Sequence, residues 1–393
     1  MDKHPRNQED GQSIVVLALM LVVFLAFVAL ALDGGNTYVR KRQAQTAADA
    51  GALAGARQLC ETGEVTPALN AAQEYAVTRN GSDTANVSVD LNNGRVKVDT
   101  IITFDTFLAH LIGRPQIQVA ATATAECQAP GAGEGIIPTA WACKPPVGSE
   151  PTVGGSCIQQ AITPEKLDEY LNNPPPECSV VCPELYIIMN SDDTGTDYCH
   201  DPDTNPAGPI DCDFDNDGEN DLLATGDRSW LNLDGGGNSA NEMVGWIEDG
   251  FNAELFIHTW FAGNPGVQTN VFQAVEEREG ELLIMPVFDE LCGGAPSAAG
   301  PCATEFHPGQ DTVVAGSGPQ TYFHVIAFSI FYVSCVDSGG SDSCPGHDAA
   351  VAAGMDHNEK TIEGYFIEGT LPGLGGGGSQ GLNVGAYVVF LIE

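Results

Sequence analysis

The chain has 393 residues, 43% of them hydrophobic, and a formal net charge of −38 from 53 acidic and 15 basic side chains. That length suffices for one large or two modest domains beyond an anchor. The charge is unevenly shared: residues 1–58 hold 6 Lys/Arg against 5 Asp/Glu, which leaves 9 against 48 for the remainder. Binding phosphate takes cationic side chains, so nucleic acid is excluded as a partner of everything after residue 58. So acidic a surface fits divalent cations, a saline medium or plain solubility.

Residues 1–13 read as a polar cytoplasmic tip. From Ile14 to Leu32 no charge or strongly polar group interrupts the chain, and at ~1.5 Å per helical residue this run matches a ~30 Å hydrocarbon layer. A helix satisfies its own backbone there, so 14–32 is expected to be a transmembrane helix. The run is too long for an ordinary signal-peptide core and has no A-x-A-like site before the next charges. Strong helix formers continue the pattern over residues 33–59, with Gly34-Gly35 as the expected kink. Ala44, Ala48, Ala52 and Ala56 recur every four residues beside Gly51 and Gly55, a small-residue face that lets another backbone approach closely. Two occupants fit that face: a neighbouring helix in a bundle or filament, or the chain's own domain.

Gly11-Gln12 before the span, Asp33-Gly34 closing it, then Gln45 and Ala48-Asp49-Ala50-Gly51-Ala52-Leu53-Ala54 together resemble the N-terminal segment of the Flp/Tad (tight adherence) pilus-assembly TadG-like family, over roughly residues 10–58. The resemblance implies an envelope protein with a pilin-like N-terminal helix, associated with pilus assembly and surface attachment. It implies pilin-like or Tad assembly proteins as partners of the helix, besides the membrane itself. One departure has a consequence: Val16 stands where prepilin-type processing sites resemble Gly followed at the fifth position by Glu. Gly11 is therefore not expected to be cut, and the helix stays as an anchor.

All 12 cysteines follow the span, from Cys60 to Cys344. An even, dispersed set without C-x-x-C suits disulfides in an oxidising compartment, which places the C-terminal part extracytoplasmic and the N-terminus inside. The positive-inside count pulls the other way, with Arg40, Lys41 and Arg42 on the proposed outer side. Residues 60–128 read as a small α/β unit: a helix over Pro67–Asn80, strands Val87–Leu91 and Arg95–Phe104 joined through Asn92-Asn93-Gly94, a short helix Phe107–Ile112 ending at Gly113, and a strand Ile117–Ala125. The Asn-Gly step supplies the positive φ angles of a tight hairpin. Cys60 and Cys127 bracket this unit and are expected to bridge it; the competing reading pairs each with the C-terminal domain.

Residues 129–135 are a Gly/Pro-rich linker. Residues 136–393 show short β-rich runs between Gly, Pro, Asn and Asp, and are expected to form a mainly β, acidic extracytoplasmic domain with a few short helices and up to five disulfides. The best strands are Leu185–Met189, Glu281–Phe288, Tyr322–Ser334, Ile362–Glu368 and Val384–Ile392, with one helix over Ser239–Glu248. HVIAFSIFYV is apolar on both faces and should be central.

The sharpest chemical motif is Asp213-Phe214-Asp215-Asn216-Asp217-Gly218-Glu219-Asn220-Asp221. Asp213, Asp215, Asp217 and Asp221 at positions 1, 3, 5 and 9, Gly218 at the sharp turn and the Glu219 carbonyl reproduce the oxygen cage of Ca²⁺. Position 12 is Ala224 rather than a bidentate Glu, so another segment or water must complete the shell; a polar Asp-rich turn is the plainer reading. Cys199 and Cys212 precede the loop and are placed to clamp it. There is no G-x-S-x-G, H-E-x-x-H or Walker A motif, so no catalytic residues are assigned and no enzyme is expected. The sequence thus points to an α+β, single-pass membrane protein: a pilin-like transmembrane helix, a small α/β unit and a disulfide-rich mainly β domain, non-enzymatic, in pilus assembly or adhesion. The rival is a membrane-tethered extracytoplasmic hydrolase or carbohydrate-binding module using the helix only as an anchor.

Overall fold

A computed structural model of the chain describes residues 10–142, 161–173, 185–190, 227–237, 239–265, 269–304, 306–316, 321–339, 344–348, 360–371 and 384–392. Two compact units emerge, one formed by residues up to Cys127 together with those from Val389 onward, the other by Gln128–Val388.

The first unit begins with one uninterrupted helix, α1 (Asp10–Thr62). It runs through Gly34 and Gly35 as continuous helix, and a Cβ built on either glycine would meet nothing within 4 Å. Helix α2 (Val65–Gln73) follows and runs into a π-helical turn, Glu74–Arg79. Strands β1 (Thr84–Asp90), β2 (Arg95–Asp105) and β3 (Gln116–Gln128) form an antiparallel meander, Val89 facing Val96 and Val98 facing Ala123. Burial alternates along β2, with Val96, Val98, Ile102 and Phe104 turned inward, as a half-buried sheet requires. Gly94 sits in the β1–β2 turn at φ 60°, and a Cβ there would collide with the Cys127 carbonyl. Cys60 and Cys127 pair, their Cα atoms 6.1 Å apart, which ties the end of α1 to the end of β3.

The second unit is the mainly β region. Its short elements are β4 (Ala132–Gly133), β5 (Trp141–Ala142), α3 (Pro164–Asn172), β6 (Tyr186–Asn190), β7 (Asp227–Leu231), α4 (Ala240–Asp249) and β8 (Leu255–Phe256). Then come β9 (Thr259–Pro265), α5 (Thr269–Glu276), β10 (Leu282–Cys292), β11 (Thr312–Val314), β12 (Tyr322–Asp337), β13 (Thr361–Ile367) and β14 (Gly369–Thr370), and β15 (Ala386–Leu391) begins in this unit and ends in the first. Strand β12 is central: β10 lies antiparallel along one edge, while β9 and β13 share the other. That arrangement explains why its sequence is apolar on both faces; almost every residue is buried. Helices α4 and α5 cover the sheet with Met243, Ile247, Val271, Phe272 and Val275. Ser239 caps α4 in a reciprocal capping box with Glu242. The pairs Cys292–Cys302 and Cys335–Cys344 staple two loops of this unit. Cys143, Cys157, Cys178, Cys182, Cys199 and Cys212 lie outside the described residues.

Candidate functional site

The N-terminal half and the C-terminal half of α1 have opposite surroundings. From Ile14 to Leu32 its side chains stand almost wholly exposed, with Phe24 at 66% and Leu30 at 72%, and this is a helix long and apolar enough to cross a membrane. From Ala44 to Leu59 it is the strut of the first unit's core. Ala44, Ala48, Ala52 and Ala56 are fully buried against Ala68, Ala72, Ala76, Val96 and Val98. A Cβ on Gly55 would lie 2.8 Å from Val96 Cγ1 and 3.0 Å from Ala72 Cβ. The chain's own α2 and sheet therefore occupy the small-residue face that the sequence left open between two partners. Polar residues of the same segment fix its register: the Thr100 hydroxyl donates to the Ala44 carbonyl at 2.9 Å, and Gln45 donates to Asp49 at 2.7 Å and to the Thr122 carbonyl at 3.2 Å.

Asp33 marks the join between the two halves. Its carboxylate accepts three backbone N–H bonds, from Phe107 at 2.7 Å, Leu108 at 3.1 Å and Ala109 at 2.8 Å. These donors, the Phe107 amide foremost, hold its pKa below the usual carboxylate range. The turn they belong to leads into a 3-10 helix, Ala109–Ile112, closed by Gly113 at φ 83°. The sequence marked Asp33 only as part of a family pattern; its partners lie far along the chain, so this clasp could not be read from spacing.

Two clusters in the second unit also carry chemistry. His258, Asp311 and His324 bring ligand atoms within 4.8 Å of one another. Glu363 is buried, and desolvation pushes its carboxyl up to about 8 against the opposing pull of the Gly346 and His347 amides. Its neighbours Cys335 and Cys344 are joined to each other and so are not thiolate ligands. Near it, His347 Nδ1 lies 3.2 Å from an Asp337 carboxylate oxygen. The sequence reading gave none of these residues a role as ligand. The calcium candidates Asp213, Asp215, Asp217, Glu219 and Asp221 lie outside the described residues.

The fold thus defines a chain in which, among the described residues, one membrane-length apolar helix continues, without a linker, into the core of a folded unit. Residues 11–58 match the family model described as putative Flp pilus-assembly TadE/G-like, the same stretch that carries the exposed apolar half, the Asp33 clasp and the buried alanine face. That match supports a pilus-related role for the segment. No curated protein and no solved structure matches the chain.

Proposed function

We propose that the chain is a single-pass envelope protein of the Flp/Tad pilus system, acting in pilus assembly or surface attachment rather than as an enzyme. The carrying observation is that the TadE/G-like segment is at once the apolar span and the core strut of the first unit. A rigid connection between anchor and globule transmits position and force, which a tether on a flexible linker does not. In this reading the N-terminus is cytoplasmic and the acidic, cross-linked second unit is extracytoplasmic, where pilin-like or Tad assembly proteins are the partners of the span. The loop Asp213–Asp221 holds Ca²⁺, and millimolar external calcium is enough for a loop with an incomplete ligand set.

Deleting residues 14–32 is expected to release the protein into the soluble fraction and to abolish pilus-dependent attachment; attachment at the wild-type level would overturn the assignment. For the calcium loop, a calcium-selective chelator is expected to lower the melting temperature of the full chain. An unchanged melting curve would remove calcium from the proposal.

A further inference from the structure

We propose that His258, Asp311 and His324 form a binding site for a divalent transition metal, Zn²⁺ first among them. Three neighbouring segments build it. Thr259 of β9 pairs with Thr312 of β11, which sets His258 beside Asp311, and His324 of β12 faces Trp260. His324 and Trp260 stand opposite each other across the β12–β9 pair and so share a face, while His258 and Asp311 each immediately precede their strands and bring their ligand atoms within 4.8 Å of His324. His258 takes a left-handed backbone, φ 57°, a conformation costly for a non-glycine residue and concentrated at functional positions. Its amide is held by the Val325 carbonyl at 2.7 Å.

The carboxylate is oriented as a metal ligand is. Asp311 Oδ2 accepts from Trp260 Nε1 at 3.0 Å and from the His307 amide at 2.9 Å, so outer partners fix the group. The other oxygen, Oδ1, is buried, accepts no hydrogen bond and lies 3.8 Å from His324 Nε2. Ligands at ~2.0–2.1 Å around tetrahedral Zn²⁺ stand roughly 3.4 Å apart, close to the 3.8 Å already present between Asp311 and His324. Trp260 stacks on the His324 ring at 4.8 Å, and the Gln310 amide sits 3.3 Å from His258 Nε2, which orients both rings. Two imidazoles and one carboxylate suit Zn²⁺ or Co²⁺ rather than Ca²⁺, which takes oxygen ligands. A water completes the fourth position.

The test uses the full, untagged chain in detergent, stripped with chelator and kept in excess Ca²⁺ so that oxygen sites are filled. Titration with Co²⁺ is expected to give visible d–d absorption saturating at one equivalent and displaced by Zn²⁺. Asp311→Asn and His258→Ala should abolish the band; His258 is only partly buried, and near-UV circular dichroism checks that its variant folds. His110→Ala, an exposed histidine of the first unit, should leave the band intact. A chain that takes up no Co²⁺, or a band that survives both ligand substitutions, would show that Asp311 and His324 are merely a buried ion pair.

A separate observation concerns the membrane surface. We infer that the turn around Phe107 and Leu111 rests in the lipid interface as a second contact beside the span. Phe107 and Leu111 are 61% and 72% exposed, and Asp33 fastens their turn to α1 one residue beyond the apolar run. Helical side chains point toward the N-terminus, so the Asp33 carboxylate holds the turn at the level of the last apolar turn of the span, where Leu30 and Leu32 are also exposed. An apolar face so placed settles ~5–10 Å into the boundary between headgroups and acyl chains. The inference rests on the span being in the bilayer, so Leu25→Trp reports on that separately. In nanodiscs of brominated phosphatidylcholine, the added emission of L25W, F107W and L111W is expected to be quenched. Emission of Leu91→Trp, in the exposed β1–β2 turn, should instead be quenched by aqueous iodide. Loss of L25W emission with F107W and L111W open to iodide would overturn this contact alone.

Discussion

The two units fill their cores with opposite kinds of side chain. In the first, alanines and glycines of α1 and α2 meet valines of the sheet; in the second, Trp141, Tyr186, Trp230, Phe272, Phe331 and Phe366 interlock edge-to-face and tilted. Small side chains bury little apolar area each but bring backbones close, so the first core depends on the absence of atoms. Large aromatics bury much area each, so the second depends on volume being present. The lesson is that the same helix–sheet layering tolerates opposite errors. The first unit is damaged by added carbons and the second by removed ones.

The largest effect is expected from Phe272→Ala. The ring is fully buried and meets Trp230 at 5.6 Å with planes 89° apart, and truncating a core Phe costs about 3–5 kcal/mol through lost transfer energy and a cavity. Chemical denaturation followed by tryptophan emission checks it. A loss under about 1 kcal/mol would mean the second core is loosely packed and the contrast is false.

Next comes Glu363→Gln, which asks whether the second unit's tightness carries a charge penalty. A carboxyl whose pKa rises from 4.5 to about 8 on folding binds more protons folded than unfolded in that interval. Stability therefore falls as pH rises from about 4.5 to about 8 and levels off above. The glutamine variant is expected to be more stable than the wild type above about pH 8, by on the order of a few kcal/mol, and to lose this advantage toward about pH 5. Melting curves across that range decide it, and parallel pH profiles for both proteins would refute the buried-charge account.

How far each unit was legible follows from the same contrast. In the first, local signals suffice: an unbroken apolar run makes the span, Asn-Gly makes the β1–β2 turn, and alternation marks β2 and β3. The exposed/buried switch along α1 was not legible, because Ala48 or Gly55 says only that something approaches closely and not what. In the second unit β10, β12 and β13 announce themselves by apolar runs, and Ser239 with Glu242 announces α4. Helix α3 was missed although Thr163-Pro164-Glu165 is a helix-start signal, with Thr163 accepting from the Lys166 amide. Strand β9 was missed because Gly263, Asn264 and Pro265 read as loop; pairing of Gly263 and Pro265 with β7, beyond the Thr259–Ala262 stretch that pairs with β12, overrides that preference. The His258–Asp311–His324 cluster gave no spacing motif at all, since His324 lies in β12 while His258 and Asp311 precede β9 and β11, and only the pairing of those strands brings them together.

Gly55→Val inverts the first prediction and is smaller. With Val96 Cγ1 and Ala72 Cβ already at 2.8 and 3.0 Å from a bare Cβ position, two further methyls must push α1 from the sheet, a strain of about 1–3 kcal/mol. The readout is faster amide exchange in β2 and α2 with the second unit unaffected. Gly34→Val, where nothing lies within 4 Å, is the control, and equal effects of the two would show that helix propensity rather than close approach is being measured.

The smallest effect, Asp33→Asn, tests whether the clasp is electrostatic or only geometric. Asparagine keeps an acceptor oxygen but loses the charge that strengthens bonds from the Phe107, Leu108 and Ala109 amides. Because those amides depress the carboxyl pKa, the clasp in the wild type is fully present above the ordinary carboxylate range and is lost as pH falls through the lowered value. Amide exchange at residues 107–109 in detergent should therefore quicken, after correction for intrinsic rates, only at strongly acid pH. In D33N it should be raised modestly at every pH. Should both proteins show the same protection throughout, the turn is held by its own 3-10 geometry and Gly113, and the charge at the end of the span serves some other purpose.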